Sequence, residues 1–187
     1  MRCFNRSFIY CWISICALAG MPQVGRAQDT SFSDQVRATW DGAMAGSSEL
    51  YVPVYTWHNP NDYNQGQISS FNDRPWGIGY GKGYRDQRQG WHGFYAMAFE
   101  DSHFDIEPVA GYAHTWNVIS CSSGLDLGLG YTALVTLRQD VHSYRIPIPG
   151  LLPLASIGIG KVSLFGTYIP WVNNHGGVAL FFLKIEL

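Results

Sequence analysis

The amino-acid sequence predicts an all-β protein: an eight-stranded antiparallel transmembrane β-barrel preceded by a short amphipathic helix. Three observations lead to this prediction. Aromatic residues make up 15% of the chain, glycine is frequent and only 14% of the residues are charged, a balance typical of barrels in lipid. From Leu50 onward apolar residues recur with a period of two. Turn signals separate roughly eight extended segments, and an even number suits a closed barrel without unpaired edges.

The N-terminal residues have the three-part pattern of a secretory signal peptide. Two arginines without an acid are followed by an apolar run and then by small residues before Ala27. The apolar run is too short for a transmembrane helix. We therefore expect export and cleavage after Ala27. The expected domains are a signal peptide over 1–27, a periplasmic amphipathic helix with its linker over 28–48, and an outer-membrane β-barrel over 49–187.

The processed chain is acidic and poor in cysteine. All 14 acids but only 9 of the 12 bases follow residue 27, so the formal charge is 9 − 14 = −5. That balance does not suit a nucleic-acid partner. Cleavage also removes three of the four cysteines, so we expect Cys121 to have no intramolecular disulfide partner.

Residues 29–44 predict a short amphipathic helix. Phe32, Val36 and Trp40 recur at four-residue spacing behind several possible N-caps. Two placements fit this pattern. The helix packs on the end of the barrel, or Phe32 and Trp40 lie in a membrane interface.

The clearest strand covers 125–138, where leucine, tyrosine, alanine and valine alternate with residues that are mostly polar or small. One face suits lipid, over a length that matches a tilted transmembrane strand. The other predicted strands are 50–58, 75–88, 91–102, 107–117, 151–159, 161–170 and 177–187. Short connections at 89–90 and 158–161 contrast with longer ones at 59–74, 139–150 and 171–176, and this asymmetry is typical of outer-membrane barrels.

Strand parity brings three polar residues to one rim. If the N-terminal helix is periplasmic, the first and third strands both run outward and end near His58, Asp101 and Ser102. Neighbours in a strand point to opposite faces, so Asp101 and Ser102 converge only where the third strand breaks. Such a group fits acyl transfer, in which a histidine takes the proton of a hydroxyl and a carboxylate orients it. The alternative is polar residues that merely cap strands at the membrane edge.

The predicted lumen and wall each leave two interpretations open. Eight strands enclose side chains or one small ligand, and the last strand is apolar at 178–183, so its inward face is apolar as well. This favours either a hydrocarbon cavity or ordinary interior packing. Prolines within or at the ends of predicted strands remove ladder hydrogen bonds. They mark either strand ends or gaps in the wall, and they are Pro53, Pro75, Pro153 and Pro170.

Other chemistries have no matching motif. LASIG at 154–158 has leucine where a nucleophile elbow needs its first glycine. The glycines of GIGYGKG at 77–83 alternate singly and do not form a dinucleotide fingerprint, and the histidines show no HxxxH or HExxH spacing. We therefore expect no cofactor and no metal site.

Several blocks of the sequence resemble the PagP family, the lipid A palmitoyltransferases of the Gram-negative outer membrane. The blocks occur in the family's order through the processed chain from about Leu50: LYVPVYTWH, RPWGIGYG, WHGFYAMAFEDS, EPVAGY, LGLGYTA, LLPLAS and TYIP. The resemblance implies an eight-stranded barrel with a periplasmic helix and a detergent- or acyl-filled interior. The active site would lie at the rim that strand parity places on the extracellular side. The resemblance also implies transfer of a palmitoyl chain from the sn-1 position of a phospholipid to a hydroxyacyl chain of lipid A.

The resemblance assigns roles to the residues at the rim. The family's essential histidine falls on His58 in TWH, and its Asp-Ser pair falls on Asp101 and Ser102 in FEDS. His58 is then the candidate general base and Asp101 its orienting or electrostatic partner. Ser102 is either the nucleophile or a donor to the transition state, and the sequence leaves both roles open.

The resemblance also implies lateral openings and a pocket floor. Pro53 and Pro75 fall where the family weakens the wall between its first two strands, and Pro153 and Pro170 flank its second opening, between the sixth and seventh strands. In AGYAH the family's pocket-floor glycine is replaced by Ala113, which implies a floor raised by about one methylene.

The expected partners are a phospholipid acyl donor, a lipid A acceptor and the surrounding outer-membrane lipid, with the chain a monomer or a weak homodimer. Two alternatives remain at this stage. One is an outer-membrane phospholipase that gives the acyl group to water. The other is a barrel that binds lipid without catalysis, which needs none of the three rim residues.

Overall fold

The structure, a computed structural model, describes residues 3–4, 31–138, 146–170 and 177–187. Two helices are present in these ranges, α1 (Phe32–Ala45) and α2 (Gln65–Ser70). The strands of the barrel are β1 (Ser47–His58), β2 (Gly77–Arg85), β3 (Trp91–Glu100), β4 (Ile106–Cys121), β5 (Leu125–Arg138), β6 (Ile146–Ile159), β7 (Val162–Ile169) and β8 (Val178–Glu186). No helix in the described ranges is long and apolar enough to cross a membrane.

The eight strands form a closed antiparallel barrel. Each strand pairs with the next along the chain, and β8 pairs back with β1. The predicted fold is therefore confirmed. Closure follows from the pattern of the sequence, because a sheet that is apolar outside must satisfy every backbone group within itself.

A further two-residue strand, Cys3–Phe4, pairs with the end of β4 at Ser120 and Cys121. Cys121 is disulfide-bonded, whereas the sequence predicts no partner for it after cleavage. The chain has four cysteines, so the partner is one of the three near the N-terminus. The structure is that of the full 187-residue chain, whereas the prediction concerns the chain after cleavage. The expected cleavage after Ala27 lies outside the described residues.

The two ends of the barrel differ in their connections. We call the end at which β1 finishes the loop rim, and its connections are 59–76, 101–105, 139–145 and 170–177. The opposite end, the turn rim, has the connections 86–90, 122–124 and 160–161, none of them longer than five residues. Residues 139–145 and 171–176 lie outside the described residues.

Side chains alternate between the two faces of the wall, as the period of two predicts. In β5, Gly128, Thr132 and Thr136 are buried in the lumen, whereas Leu129 and Val135 are exposed on the outside. The neighbouring strands follow the same rule, and their outward apolar residues provide the surface that suits lipid.

The interior is apolar towards the loop rim and becomes aromatic farther in. Four rings, which we call the aromatic layer, cross the lumen: Tyr51, Trp91, Phe165 and Phe182. The Phe165 ring stacks on Phe182 with centroids 5.5 Å apart, and Trp91 lies 5.1 Å from Phe165. The predicted apolar inward face of the last strand is thus confirmed at Leu180 and Phe182.

Below the aromatic layer, towards the turn rim, the interior is polar. Glu49 accepts hydrogen bonds from Lys184 Nζ at 2.7 Å, from Trp91 Nε1 at 2.8 Å and from the Tyr51 hydroxyl at 2.6 Å. Each charge is therefore paired, as burial requires. Beside this cluster is a cavity of about 20 Å³ lined mostly by polar residues, among them Arg85 and Asp126.

Helix α1 packs against the outer wall near the turn rim rather than across the end of the barrel. Trp40 contacts the outward-facing Phe94 edge to face, with centroids 4.9 Å apart. Ala43 is fully buried, and Gly42 lies against the Tyr84 ring, where a Cβ would be 3.0 Å from it. Phe32 is 81% exposed, so only the second half of the helix is bound to the barrel.

Candidate active site at the loop rim

The structure brings His58 and Ser102 together at the loop rim. His58 is the last residue of β1, and Ser102 lies in the turn that follows β3. His58 Nε2 and Ser102 Oγ are 2.7 Å apart, although 44 positions separate the residues in sequence. The shared rim that strand parity predicts for these residues is therefore present.

The turn 101–105 is held by Asp101. Its Oδ1 accepts hydrogen bonds from the backbone N–H of His103 at 2.7 Å and of Asp105 at 2.9 Å, and its own N–H donates to the Asp105 carbonyl at 2.8 Å. Within this turn Phe104 adopts a φ of 66°, an uncommon conformation for a bulky residue. Strand β3 ends at Glu100, so the break that allows Asp101 and Ser102 to converge is present.

Asp101 is not placed to orient the His58 ring. His58 hydrogen-bonds to Ser102, and the Asp101 carboxylate faces His103, whose Nδ1 is 4.0 Å from Asp101 Oδ2. The carboxylate, which is 8% exposed, instead organises the turn that carries Ser102. Its effect on the site therefore passes through the position of the hydroxyl.

Aromatic rings enclose His58, which is 6% exposed. The Phe71 ring lies against it with centroids 4.6 Å apart, and Tyr63 meets it edge to face at 5.7 Å. Both residues belong to the connection between β1 and β2. They restrict the imidazole to the orientation that faces Ser102 and keep most water from it.

Phe71 and Asn72 both contact the site, and neither is predicted from the sequence. Asn72 is 6% exposed, and its backbone N–H donates to the carbonyl of Ser102 at 3.0 Å. The one local signal was the SFNDRP stretch, because a residue before proline is extended rather than helical. That signal reports the shape of the loop and carries no information about which side chains it places over the rim.

The His58–Ser102 pair can activate an oxygen for acyl transfer. In the tautomer with its proton on Nδ1, His58 accepts the hydrogen bond from the Ser102 hydroxyl at Nε2. A neutral imidazole in this position can remove a proton from Ser102 or from a hydroxyl that approaches the pair. Among the described residues, no group of three or more histidine, cysteine, aspartate or glutamate side chains could hold a metal ion.

In the described residues, the barrel wall has two stretches without a strand ladder, and both lie in the half of the barrel nearer the loop rim. Strands β1 and β2 pair only from Ser47–Gly83 to Tyr51–Gly79. Pro53 and Pro75 flank the remainder, and a register shift follows Pro53 in the pairing of β1 with β8. The missing proline N–H groups remove donors where the ladder ends.

The second stretch lies between β6 and β7. In the described residues their ladder extends from Leu154–Thr167 to Ile159–Val162. Pro153 immediately precedes its first pair, and Pro170 follows β7. Each predicted pair of prolines thus adjoins a break in the wall.

Apolar side chains line the lumen between the rim and the aromatic layer: Met97, Phe99, Val109 and Leu180. Ala113 is the next inward position on β4 at which a side chain is fully buried, at 3% exposure. It pairs with Gly93, where an added Cβ would collide with the Trp91 ring. Ala113 therefore lies beside the aromatic layer.

Comparisons with known proteins agree on one family. A family model described as "Antimicrobial peptide resistance and lipid A acylation protein PagP" matches residues 35–184. The Lipid A acyltransferase PagP of Erwinia tasmaniensis is 46% identical over 156 residues, which are 82% of this chain and 80% of that protein. The protein of the same name from Serratia proteamaculans is 39% identical over 193 residues, which are 95% of this chain and 95% of that protein. The one from Bordetella pertussis (strain Tohama I) is 44% identical over 141 residues, which are 75% of this chain and 76% of that protein.

Proposed function

Because this chain belongs to the PagP family, we propose that it is an outer-membrane acyltransferase that acylates lipid A. The finer proposal is that a palmitoyl or similar long acyl chain moves from the sn-1 position of a phospholipid to a hydroxyacyl chain of lipid A. In this proposal His58 and Ser102 are the catalytic residues, and Asp101 positions the turn that carries Ser102. The protein would be exported by a signal peptide cleaved after Ala27, with the loop rim on the extracellular side.

The observation that carries the proposal is the 2.7 Å hydrogen bond between His58 Nε2 and Ser102 Oγ. A barrel that only binds an alkyl chain does not need a histidine that is buried and bonded to a hydroxyl. The pair lies at one end of an apolar lumen, so an acyl chain in the lumen would present its ester to the imidazole and the hydroxyl.

In the proposed reaction the acyl carbon exchanges one oxygen for another. The bond to the glycerol oxygen of the phospholipid breaks, and a bond forms to the hydroxyl oxygen of the lipid A acyl chain. His58 takes the proton of the attacking hydroxyl and returns it to the departing glycerol oxygen, so that protons balance. Ser102 acts either as an intermediate nucleophile that carries the acyl group or as a donor to the oxyanion.

The two breaks in the wall are the proposed lateral entrances. A substrate with its head group in the membrane and its acyl chain in the lumen has to cross the wall sideways, and a strand ladder would block it. Pro53 and Pro75 adjoin one opening, which lies between the last β1–β2 pair at Tyr51 and the hydrogen bond from Thr56 to Asp73. Pro153 and Pro170 adjoin the other. One entrance would admit the phospholipid and the other lipid A.

Mass spectrometry of lipid A tests the proposal. The chain is expressed in a Gram-negative host that lacks this activity, and the mass of the extracted lipid A is measured. A mass increase of one long acyl chain is expected, together with lysophospholipid. Fatty acid and lysophospholipid without that increase would show hydrolysis in place of transfer, and the absence of all three would refute catalysis.

A further inference from the structure

The connection between β1 and β2 takes the place of a strand beside the active site. Strand β2 starts only at Gly77, below the level of His58 and Ser102. Residues 71–76, which we call the bridging segment, lie between the end of β1 and the end of β3 at that level. The segment is irregular, yet it bonds to both strands.

Backbone hydrogen bonds fix the bridging segment on its two sides. On the β1 side, the Thr56 N–H donates to the Asp73 carbonyl at 3.0 Å. On the β3 side, the Glu100 N–H donates to the Trp76 carbonyl at 2.9 Å. The segment therefore sets the distance between the two strands that carry His58 and Ser102.

Asn72 is the polar centre of the bridging segment. Its backbone N–H donates to the Ser102 carbonyl at 3.0 Å, and its Nδ2 donates to Glu100 Oε2 at 3.1 Å. Its Oδ1 accepts from the Arg74 N–H at 3.1 Å, which folds the segment back on itself. One buried side chain thus joins the loop to the last residue of β3, two positions before Ser102.

The residue before Asn72 acts on the other member of the pair. The Phe71 ring lies 4.6 Å from the His58 ring, with an angle of 31° between their planes. Adjacent residues of one segment therefore contact both His58 and Ser102. A shift of this segment would move the two groups relative to each other.

We propose that Asn72 is a positioning residue for acyl transfer: through Glu100 and the Ser102 backbone it holds the turn after β3 so that Ser102 Oγ stays in contact with His58. This inference rests on the proposed function for its kinetic consequence, but its geometric content does not depend on that function. The Asn72 side chain hydrogen-bonds to Glu100 and to the Arg74 N–H rather than to the imidazole or the hydroxyl, so its effect is on placement.

The test uses a change that alters one bond. Asn72→Asp keeps the oxygen that accepts from Arg74 but places a carboxylate opposite Glu100, where a donor is needed. We expect kcat to fall about 10- to 100-fold, since a misplacement of 1 Å costs about 100-fold. KM for the phospholipid should change little, because acyl binding in the lumen is intact.

A second variant restores the bond with its polarity reversed. In Asn72→Asp/Glu100→Gln the glutamine amide donates to the new carboxylate, and kcat should return to within about threefold of the wild type. Asn61→Asp is the matched control, because it makes the same change at an exposed position of the same loop. Heat-modifiable migration in electrophoresis is used to check that each variant is folded.

Several results would overturn the inference: Asn72→Asp with the kcat of the wild type, or a double variant as slow as the single one. Should Asn72→Asp not fold, Glu100→Ala removes the same bond from the other side, and a wild-type rate there is equally contrary. Lipid A acylation and fatty-acid release are both measured. A wild type that releases fatty acid without acylating lipid A would refute the proposed acyl transfer but not the positioning role of Asn72. A crystal structure of Asn72→Asp decides the geometry independently of any activity, since an unchanged 2.7 Å His58–Ser102 distance would exclude the role.

Discussion

Ser102 is the residue on which the proposed chemistry depends most directly, because its hydroxyl is bonded to the candidate base. We expect Ser102→Ala to lower acyl transfer by at least about 100-fold, in the range of general acid–base contributions. Folding should be unaffected, since Ser102 lies in a turn at the rim. Ser70→Ala is the control, because it removes a hydroxyl from the exposed helix α2 of the adjacent loop. Transfer is measured by the mass of lipid A. A wild-type rate for Ser102→Ala would mean that Ser102 only caps the strand and takes no part in catalysis.

Asp101 allows its structural and electrostatic roles to be separated. Its Oδ1 accepts from the N–H groups of His103 and Asp105, and an asparagine keeps that oxygen without the charge. We expect Asp101→Ala to abolish detectable transfer and Asp101→Asn to stay within about tenfold of the wild type. Initial rates of phospholipid consumption provide the comparison. Equal losses in the two variants would mean that the negative charge itself acts on His58.

Ala113 is the proposed floor of the acyl pocket. It is 3% exposed, lies beside the aromatic layer and is on the order of 15 Å from the rim along a tilted strand. We expect Ala113→Gly to shift the preferred donor chain longer by about one methylene, because a buried methylene contributes about 0.8 kcal/mol and overpacking costs about 1–3 kcal/mol. Phospholipids of graded sn-1 chain length are compared in competition.

Ala110→Gly controls for the loss of a methyl group from β4, since Ala110 faces outward on the same strand. It should leave chain-length selectivity unchanged. If the wild type and Ala113→Gly choose the same length with the same sharpness, the floor is elsewhere.

At the scale of an element, the turn between β2 and β3 depends on one ionised carboxyl. Burial alone would raise the pKa of Asp86, but hydrogen bonds from the Gly90 N–H, from His92 and from the Arg88 N–H outweigh it and lower that pKa. A lowered folded-state pKa contributes stability above the unfolded pKa, and that contribution is lost as pH falls through the folded pKa. We expect Asp86→Ala to lower the free energy of unfolding by about 1–2 kcal/mol at neutral pH. The difference from wild type should shrink below about pH 4.

Urea unfolding in lipid vesicles measures this difference across pH. Gln87→Ala is the matched control, because it shortens an exposed side chain in the same turn. A deficit of Asp86→Ala that stays constant down to pH 2 would show that the ionised carboxylate is not what stabilises the turn.

At the scale of the whole molecule, the barrel and helix α1 are expected to serve different properties. The helix contacts the outer wall near the turn rim, at the end opposite His58 and Ser102. Removal of residues 28–46 should therefore leave turnover within about twofold and speed unfolding about 5- to 30-fold, equivalent to a loss of 1–2 kcal/mol. Trp40→Ala should reproduce part of this effect, whereas Phe32→Ala should not, because Phe32 is exposed. A folded barrel without the helix that no longer turns over would contradict the separation.

Much of the fold and part of the site could be predicted from the sequence. The period of two fixes which residues face lipid, because successive side chains of a strand point to opposite faces. The even number of strands then fixes antiparallel closure, since lipid leaves no edge unpaired. The same parity places His58 and Ser102 at one rim without any knowledge of their contact. The placement of residues at one rim depends only on strand direction and could therefore be predicted from the sequence.

Tertiary structure decided the contacts that periodicity does not encode. The Asp101 carboxylate bonds to its own turn and not to His58, because the chain reverses immediately after β3 and its N–H groups need an acceptor. Asn72 and Phe71 reach the site because β2 starts late and a loop fills the space beside β1. The sequence by itself determined the barrel and the rim that carries the polar residues, since both follow from local alternation. The distance between those residues depends on which loop lies between two strands, and only packing in three dimensions sets it.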